Sequence, residues 1–481
     1  MKLILFLPLI VSVLSFFSPK KVVKELGLSF SFSFLAYSLL LLLKFDPTQD
    51  FDIKYEAILL ESLGAQLSFG LDGLGMLMLI LTNFVVLFVN LMAYKKTYDN
   101  RFYGLLFMMQ FALIGVFSCL NAFFFYVFWE LALIPIYLIL LIWGEGKNQK
   151  AAFVRFFVYT FLGSLMLLAG FILFNTFSKA INYQYVQMVV KSLEGSQSIA
   201  FAVLMIVGFG VKIPIFPLHS WQAKTYVKAP SEGTILLSAI MLKMGLYGLI
   251  RWYIPFIDAK NPIIQTVVIV LAVFGVVYGA LIALRRNNLK QIAAFSSLSH
   301  VGLIAAGIFT ANIYGLQGSI IQMVVHGINI LGLFYVIDII KNQTGTLNIQ
   351  NLGGIALKAP KFAILSLIII LGTIGVPLTN GFPGEMLLLM SVFVFNPYLG
   401  ALAGLTIIIG AAYMLRIYQL TFFRTTTETT EGFQDVSGID FIALLIIAFL
   451  VLAIGFYPQY ILDLSQTTSN HLINLLSSRM F

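Results

Sequence analysis

Six ionisable side chains stand inside long apolar stretches of this chain. They are Glu130 in Phe128-Trp129-Glu130-Leu131-Ala132, Lys212 in Val211-Lys212-Ile213-Pro214, Lys243, His300, His326, and Glu385 after Gly381-Phe382-Pro383-Gly384. Charge in an apolar interior is expensive, and inside a membrane it usually marks an ion or proton path. A single buried histidine serves equally well as a structural hydrogen-bond partner, whereas a lysine or glutamate among apolar neighbours points to function. Six such groups on six predicted helices favour one shared polar path over separate accidents. Proton transfer is the chemistry these residue types support. A lysine in water titrates near 10.4, and burial lowers such a group by about three units or more, which is about 4 kcal/mol. An ion pair near 4 Å is worth about the same at an effective dielectric of 20. A Glu130–Lys212 contact that forms and breaks is therefore enough to hold and release a proton, with no metal.

The elements that position these groups are membrane helices. Of the 481 residues 60% are hydrophobic and only 10% charged, with a mean hydropathy of +0.97; a soluble domain carries roughly 25% charged residues. Apolar runs long enough for a bilayer core of about 30 Å recur throughout. They predict an all-α polytopic membrane protein of about fourteen transmembrane helices, near 2–17, 27–44, 71–94, 103–120, 121–143, 151–177, 198–218, 230–254, 262–284, 288–309, 313–340, 361–395, 397–423 and 439–459. The loops at 45–70, 178–197, 341–360 and 424–438 are polar but short, so 1–481 reads as a single membrane domain. Met1 to Phe17 ends in Ser18-Pro19-Lys20-Lys21 rather than a small-residue cleavage pattern, and reads as an uncleaved first helix.

Charge placement orients the helices. Odd-numbered loops hold Lys20, Lys21, Lys24, Lys95, Lys96, Arg101, Lys147, Lys150, Lys224, Lys228, Arg285, Arg286, Lys290, Lys341, Lys358, Lys361 and Arg424. Even loops hold mainly Lys44, Lys54, Lys179, Lys191 and Lys260, and the first of them is acidic (Asp46, Asp50, Asp52, Glu56). The positive-inside rule predicts cytoplasmic odd loops, and an even helix count then puts both termini on the outer side, the periplasmic one for the bacterial inner membrane expected of this chain. This topology, not nucleic acid, accounts for the net charge of +9. Cys119, the only cysteine, excludes an internal disulfide and multi-cysteine metal or iron–sulfur sites. Gly70-Leu71-Asp72-Gly73-Leu74-Gly75 misses the dinucleotide fingerprint and enters an apolar helix.

Prolines add a second pattern. Pro214 and Pro217 interrupt the seventh helix, and Pro377 and Pro383 the twelfth. Each removes a backbone hydrogen bond and disfavours a straight helix. If helices 4–8 and 9–13 are two inverted five-helix repeats, both breaks fall on the fourth member. Matched broken helices in inverted repeats are the usual pointer to a transporter's polar centre. The division is then 1–102 for the first three helices, 103–254 for the first repeat, 262–423 for the inverted second, and 439–481 for helix fourteen and the C-terminus.

Phe128-Trp129-Glu130-Leu131, Lys212-Ile213-Pro214, Pro217-Leu218-His219-Ser220-Trp221, Ala229-Pro230 and Ser296-Ser297-Leu298-Ser299-His300-Val301-Gly302 resemble the antiporter-like membrane subunits of respiratory complex I, the NADH:quinone oxidoreductase. The resemblance runs from about Gly70 to Tyr418. It implies fourteen helices, repeats at 4–8 and 9–13, and a central hydrophilic axis. It also implies roles: Glu130 as the fifth-helix glutamate, Lys212 as the broken-helix lysine, Lys243 as the eighth-helix lysine, His300 and His326 as connecting residues, and Glu385 as the terminal group. Among such subunits the chain is similar to the M type. Glu385 stands where L- and N-type chains usually have lysine, and the chain ends soon after helix fourteen, without room for an L-type lateral helix. Two positions depart from the pattern. Tyr226 replaces a second histidine, which puts proton uptake through that loop in question, and Asn288 replaces an acid that would partner Lys290.

The expected function is proton translocation through this axis, coupled to electron transfer in other subunits. NADH, FMN, iron–sulfur clusters and quinone would belong to partner chains, with no cofactor or metal in this one. Expected partners are L- and N-type antiporter-like chains, small membrane subunits and the lipid bilayer, with no nucleic acid. The rivals are a subunit of a multi-subunit Na⁺/H⁺ antiporter or membrane-bound hydrogenase, and a structural subunit without transport.

Overall fold

A computed structural model of the chain describes residues 1–60, 65–178, 183, 186, 195–257 and 262–477. Lys179, Lys191 and Lys260 lie outside them. Twelve described helices are long and apolar enough to cross a bilayer. Together with the shorter Lys2–Phe17 and with Pro360–Ile374 and Gly381–Phe395 taken as one interrupted crossing, they account for the fourteen expected. Their outer faces are apolar: on Gly438–Phe456, Ile442, Leu445, Ile446 and Phe449 are all exposed, a surface suited to lipid rather than water.

Many helix starts are set by one polar residue at the boundary of an apolar run. The carboxylate of Asp72 accepts from the Gly75 N–H at 2.8 Å, Asn121 caps Phe123 and Phe124, and Asn312 caps Gly315 at 2.8 Å. These bonds satisfy N–H groups that have no partner within the helix.

The polar segment ahead of Gly73 is not simply a loop. Strands β1 (Ile53–Leu60) and β2 (Ala65–Leu71) form an antiparallel hairpin, with Tyr55 opposite Phe69. Its signal is the alternation Ile53-Lys54-Tyr55-Glu56-Ala57, whose charged members are exposed and the others partly covered. That period of two is hidden by the apolar runs on either side.

A second difference lies at the C-terminus. Beyond Gly438–Phe456 there is a further helix, Gln459–Ser477. Hydropathy misses it because it is amphipathic: Ile461, Leu464, Leu472 and Leu475 are buried among polar residues at helical spacing. The C-terminal part of 439–481 is therefore helical.

The chain divides into two compact units. One comprises Met1–Pro214, Lys228–Val267 and Ile461–Phe481, the other Ile215–Val227 and Val268–Tyr460. In the first unit, no Cβ fits at Gly245 or Gly248, which press against Ile213 and Phe209. Leu242–Trp252 thereby comes close to Gly195–Lys212, as small residues allow in membranes. In the second unit Gly318 lies under Leu387 and Leu388, and Gly384 under Gln322, which draws Ile313–Thr344 onto Gly381–Phe395.

Candidate functional site

Glu130 sits at a kink. Helix Ala122–Leu131 gives way at Ala132 to Leu133–Trp143, and Pro135 lies four residues after Leu131, where its ring displaces that carbonyl's helical partner. The neighbouring Trp129 is 1% exposed and donates from Nε1 to the Ser164 hydroxyl at 3.0 Å. This anchored ring faces Lys212, whose Nζ lies 5.0 Å from its centroid. Lys212 ends the helix Gly195–Lys212, is 3% exposed and has no hydrogen-bond partner at Nζ. Glu130 and Lys212 do not form the direct ion pair the sequence suggested: neither Glu130 Oε1 nor Lys212 Nζ has a hydrogen-bond partner. A cation over an indole face is held by the ring's quadrupole, so the lysine rests on Trp129 with the carboxylate nearby but unbound.

Lys243 is fully buried and held by a different device. Between Ser231–Ile235 and Leu242–Trp252 the chain forms a π-turn, Leu236–Met241, and the Leu242 N–H reaches back to the Leu237 carbonyl. The Ser238 carbonyl, which an α-helix would offer to Leu242, accepts instead from Lys243 Nζ at 2.8 Å. The irregular turn thus supplies a backbone acceptor to a buried ammonium, a use typical of π-bulges at functional sites.

In the other unit the structure brings His300, His326 and Glu385 together. The helix Pro360–Ile374 stops at Gly375, in the left-handed region at φ +77°, and Glu385 lies just past the first turn of Gly381–Phe395. His300 Nδ1 is 3.0 Å from Glu385 Oε1, and Gln322 Nε2 donates to the same oxygen at 3.4 Å. The two imidazoles have centroids 6.0 Å apart. A Cβ at Gly375 would meet the Glu385 carboxylate, so the glycine provides both the turn and the space. Two small cavities adjoin these groups: Gln322, His326, Asn329 and Thr373 line one, Glu385, Thr406 and Tyr413 the other, and His300 borders both. Glu385 is 6% exposed, so it is an interior group held by a histidine. A carboxylate in contact with an imidazole, with a second imidazole next to it, places three groups able to bind and release protons side by side.

Tyr226, at the place of the missing histidine, is buried and packs edge-on to Phe334, with centroids 6.1 Å apart. Lys290 is buried, 1% exposed, while Asn288 caps its helix by accepting from Gln291 N–H at 3.2 Å. Hydropathy windows also passed over several buried charges. Arg251 donates to Asp72 at 2.7 Å, and the Thr468 hydroxyl of the C-terminal helix donates to the other Asp72 oxygen at 3.0 Å. Glu232 is fully buried beside Lys96, and Asp338 is 6% exposed. Arg251 and Asp338 lie near helix ends, where a charge reads as interfacial. Gly73 is pressed against the Leu464 backbone, so the glycine-rich stretch around Asp72 is filled by protein and leaves no cradle for a phosphate.

The family described as NADH:quinone oxidoreductase/Mrp antiporter, TM, matches residues 119–410. F(420)H(2) dehydrogenase subunit M of Methanosarcina mazei is 34% identical, the alignment covering 98% of each chain. NADH-quinone oxidoreductase subunit M of Rickettsia prowazekii is 31% identical, covering 98% of this chain and 97% of that one. Among solved structures, a chain of respiratory complex I from Thermus thermophilus with bound NADH superimposes with a TM-score of 0.90 at 29% identity, covering 98% of this chain and 99% of that one. A chain of the Mrp complex from Dietzia shares the fold, with a TM-score of 0.88 at 20% identity over 99% and 98% of the two chains.

Proposed function

Because the chain belongs to the NADH:quinone oxidoreductase/Mrp antiporter membrane family, we propose that it is the M-type proton-translocating subunit of a complex I-type NADH:quinone oxidoreductase. The similarity to M-type relatives over nearly the whole chain supports the assignment to that complex. The observation that carries the transport role is the contact of the buried Glu385 with the half-buried His300 at 3.0 Å, beside His326, a proton-exchanging set inside an apolar protein. Electron transfer from NADH through FMN and iron–sulfur clusters to quinone belongs to partner subunits.

In this reading Glu130 and Lys212 form the proton-holding group of the first unit and Lys243 passes protons onward. His300, His326 and Glu385 carry them in the second unit. The repeats at helices 4–8 and 9–13 give the two breaks equivalent places. Odd loops face the cytoplasm of a bacterial inner membrane, and both termini face the outer side. The chain sits among L- and N-type antiporter-like chains and small membrane subunits.

The relative from Methanosarcina mazei favours one variation: a complex of the same membrane plan that accepts electrons from F(420)H(2). A Na⁺/H⁺ antiporter subunit is the remaining rival, and Glu385 in place of lysine weighs against it. The test is to purify the complex, identify its subunits by mass spectrometry and record acidification of reconstituted vesicles on adding NADH. Flavin and iron–sulfur NADH-oxidising chains with NADH-driven acidification are expected. Na⁺/H⁺ exchange by a complex without redox chains would overturn the reading.

A further inference from the structure

The charged cluster around Glu232 is separate from the groups discussed above. Glu232 lies in the short helix Ser231–Ile235 that begins the crossing to Phe256, and its side chain is fully buried. One carboxylate oxygen is 2.8 Å from Lys96 Nζ; the other accepts from the Tyr98 hydroxyl at 2.8 Å. Tyr103 lies within electrostatic range, while Asp99 is turned away to Arg101 at 2.6 Å. The exposures are unequal, since Lys96 keeps 25% of its side chain in water and Glu232 none. We infer that Glu232 is the group through which this chain takes up protons from the cytoplasmic water, with Lys96 holding its carboxylate between uptakes.

A merely structural clamp is the competing explanation. Pairs of this kind contribute little to stability, because desolvation of the carboxylate offsets the attraction. What the arrangement provides is a buried acid one side chain away from water. An acceptor lies on the same crossing. Lys243 stands later on the same crossing, and its Nζ is bent back onto the Ser238 carbonyl, toward the end where Glu232 lies. About six residues then separate the two groups along the helix, about 9 Å. Uptake adds one proton to the Glu232 carboxylate and loosens its hold on Lys96. Once Lys243 has passed its own proton onward, transfer through bridging water to its free amine restores the ammonium and the Glu232 carboxylate, and lets Lys96 close on it again. This step supplies a proton route where Tyr226 has replaced a histidine, and it rests on the transport role and orientation proposed above.

The test uses the whole complex in proteoliposomes, with protons moved per electron as the readout. Glu232→Gln is expected to lose this chain's share of the proton yield, and Glu232→Asp to retain it. The double variant Glu232→Gln/Lys96→Gln keeps a neutral hydrogen-bonded clamp, and is expected to assemble but still lose that share. A redox-linked carboxyl band in infrared difference spectra is expected in the parent and absent from Glu232→Gln. Parent-level proton yield in either glutamine variant overturns the inference alone. A parent complex that oxidises NADH but moves no protons overturns the transport reading as well.

Discussion

At Glu130 a neutral isostere separates charge from shape. The carboxylate is not bonded to Lys212, whose ammonium rests over Trp129 with no hydrogen-bond partner, so its effect on the lysine is purely electrostatic. Glu130→Gln is expected to abolish proton pumping and reduce NADH:quinone turnover in a complex that still assembles; near-normal pumping in vesicles would refute it. Lys243 differs, because its ammonium is tied to a backbone carbonyl that no water need replace. Lys243→Ala is expected to impair pumping per NADH more than His300→Ala or His326→Ala, since water substitutes for an imidazole more readily than for a switching charge. A normal Lys243→Ala beside an inert histidine variant would reverse that order. At Glu385 the same measurement should show Glu385→Asp active and both Glu385→Ala and Glu385→Lys impaired, the last because it places a cation beside His300.

Helix breaks act through the side chains they admit. Gly375 and Gly345 both end helices with left-handed backbones, at φ +77° and +69°, but only Gly375 has a carboxylate where its Cβ would be. Alanine at either position carries a backbone cost of about 1–2 kcal/mol. Gly375→Ala is expected to lower proton yield by displacing Glu385 from His300, while Gly345→Ala leaves it unchanged; equal yields would separate the glycine from the site. The C-terminal helix has a different task. Thr468 completes the shell around Asp72, which is paired with Arg251. Arg251→Ala strands a buried carboxylate at about 3–5 kcal/mol, and loss of assembled complex on a native gel is expected. Asp72→Asn combined with Arg251→Leu should recover part of that loss; if the double variant is no better, the stranded charge is not the cause.

For the molecule as a whole, the charge bias of the loops sets which side each one faces. In a Cys119→Ala background, cysteine placed at Lys147 should react with a membrane-impermeant reagent only from the cytoplasmic side. Cysteine placed at Asp50, in the acidic even loop, should react only from outside. The opposite pattern would invert the orientation and with it the direction of uptake at Glu232. Cys119 itself is buried, so its removal is not expected to alter labelling elsewhere.

Hydropathy and charge bias alone identified the membrane class, the crossings and both broken helices, because length, apolarity and proline act locally. The motifs around Trp129, Lys212 and His300 were legible for the same reason: each lies in a short segment whose residue types are unusual in an apolar helix. The partner of each buried charge was not legible. Lys212 resting on Trp129, Glu385 meeting His300 across a glycine turn, and Lys96 reaching Glu232 each join distant segments through the packing of whole helices. The hairpin and the C-terminal helix escaped because their polar residues resemble loops until a buried face explains the apolar ones. The π-turn under Lys243 leaves no compositional mark, and only the folded backbone shows which carbonyl it makes available.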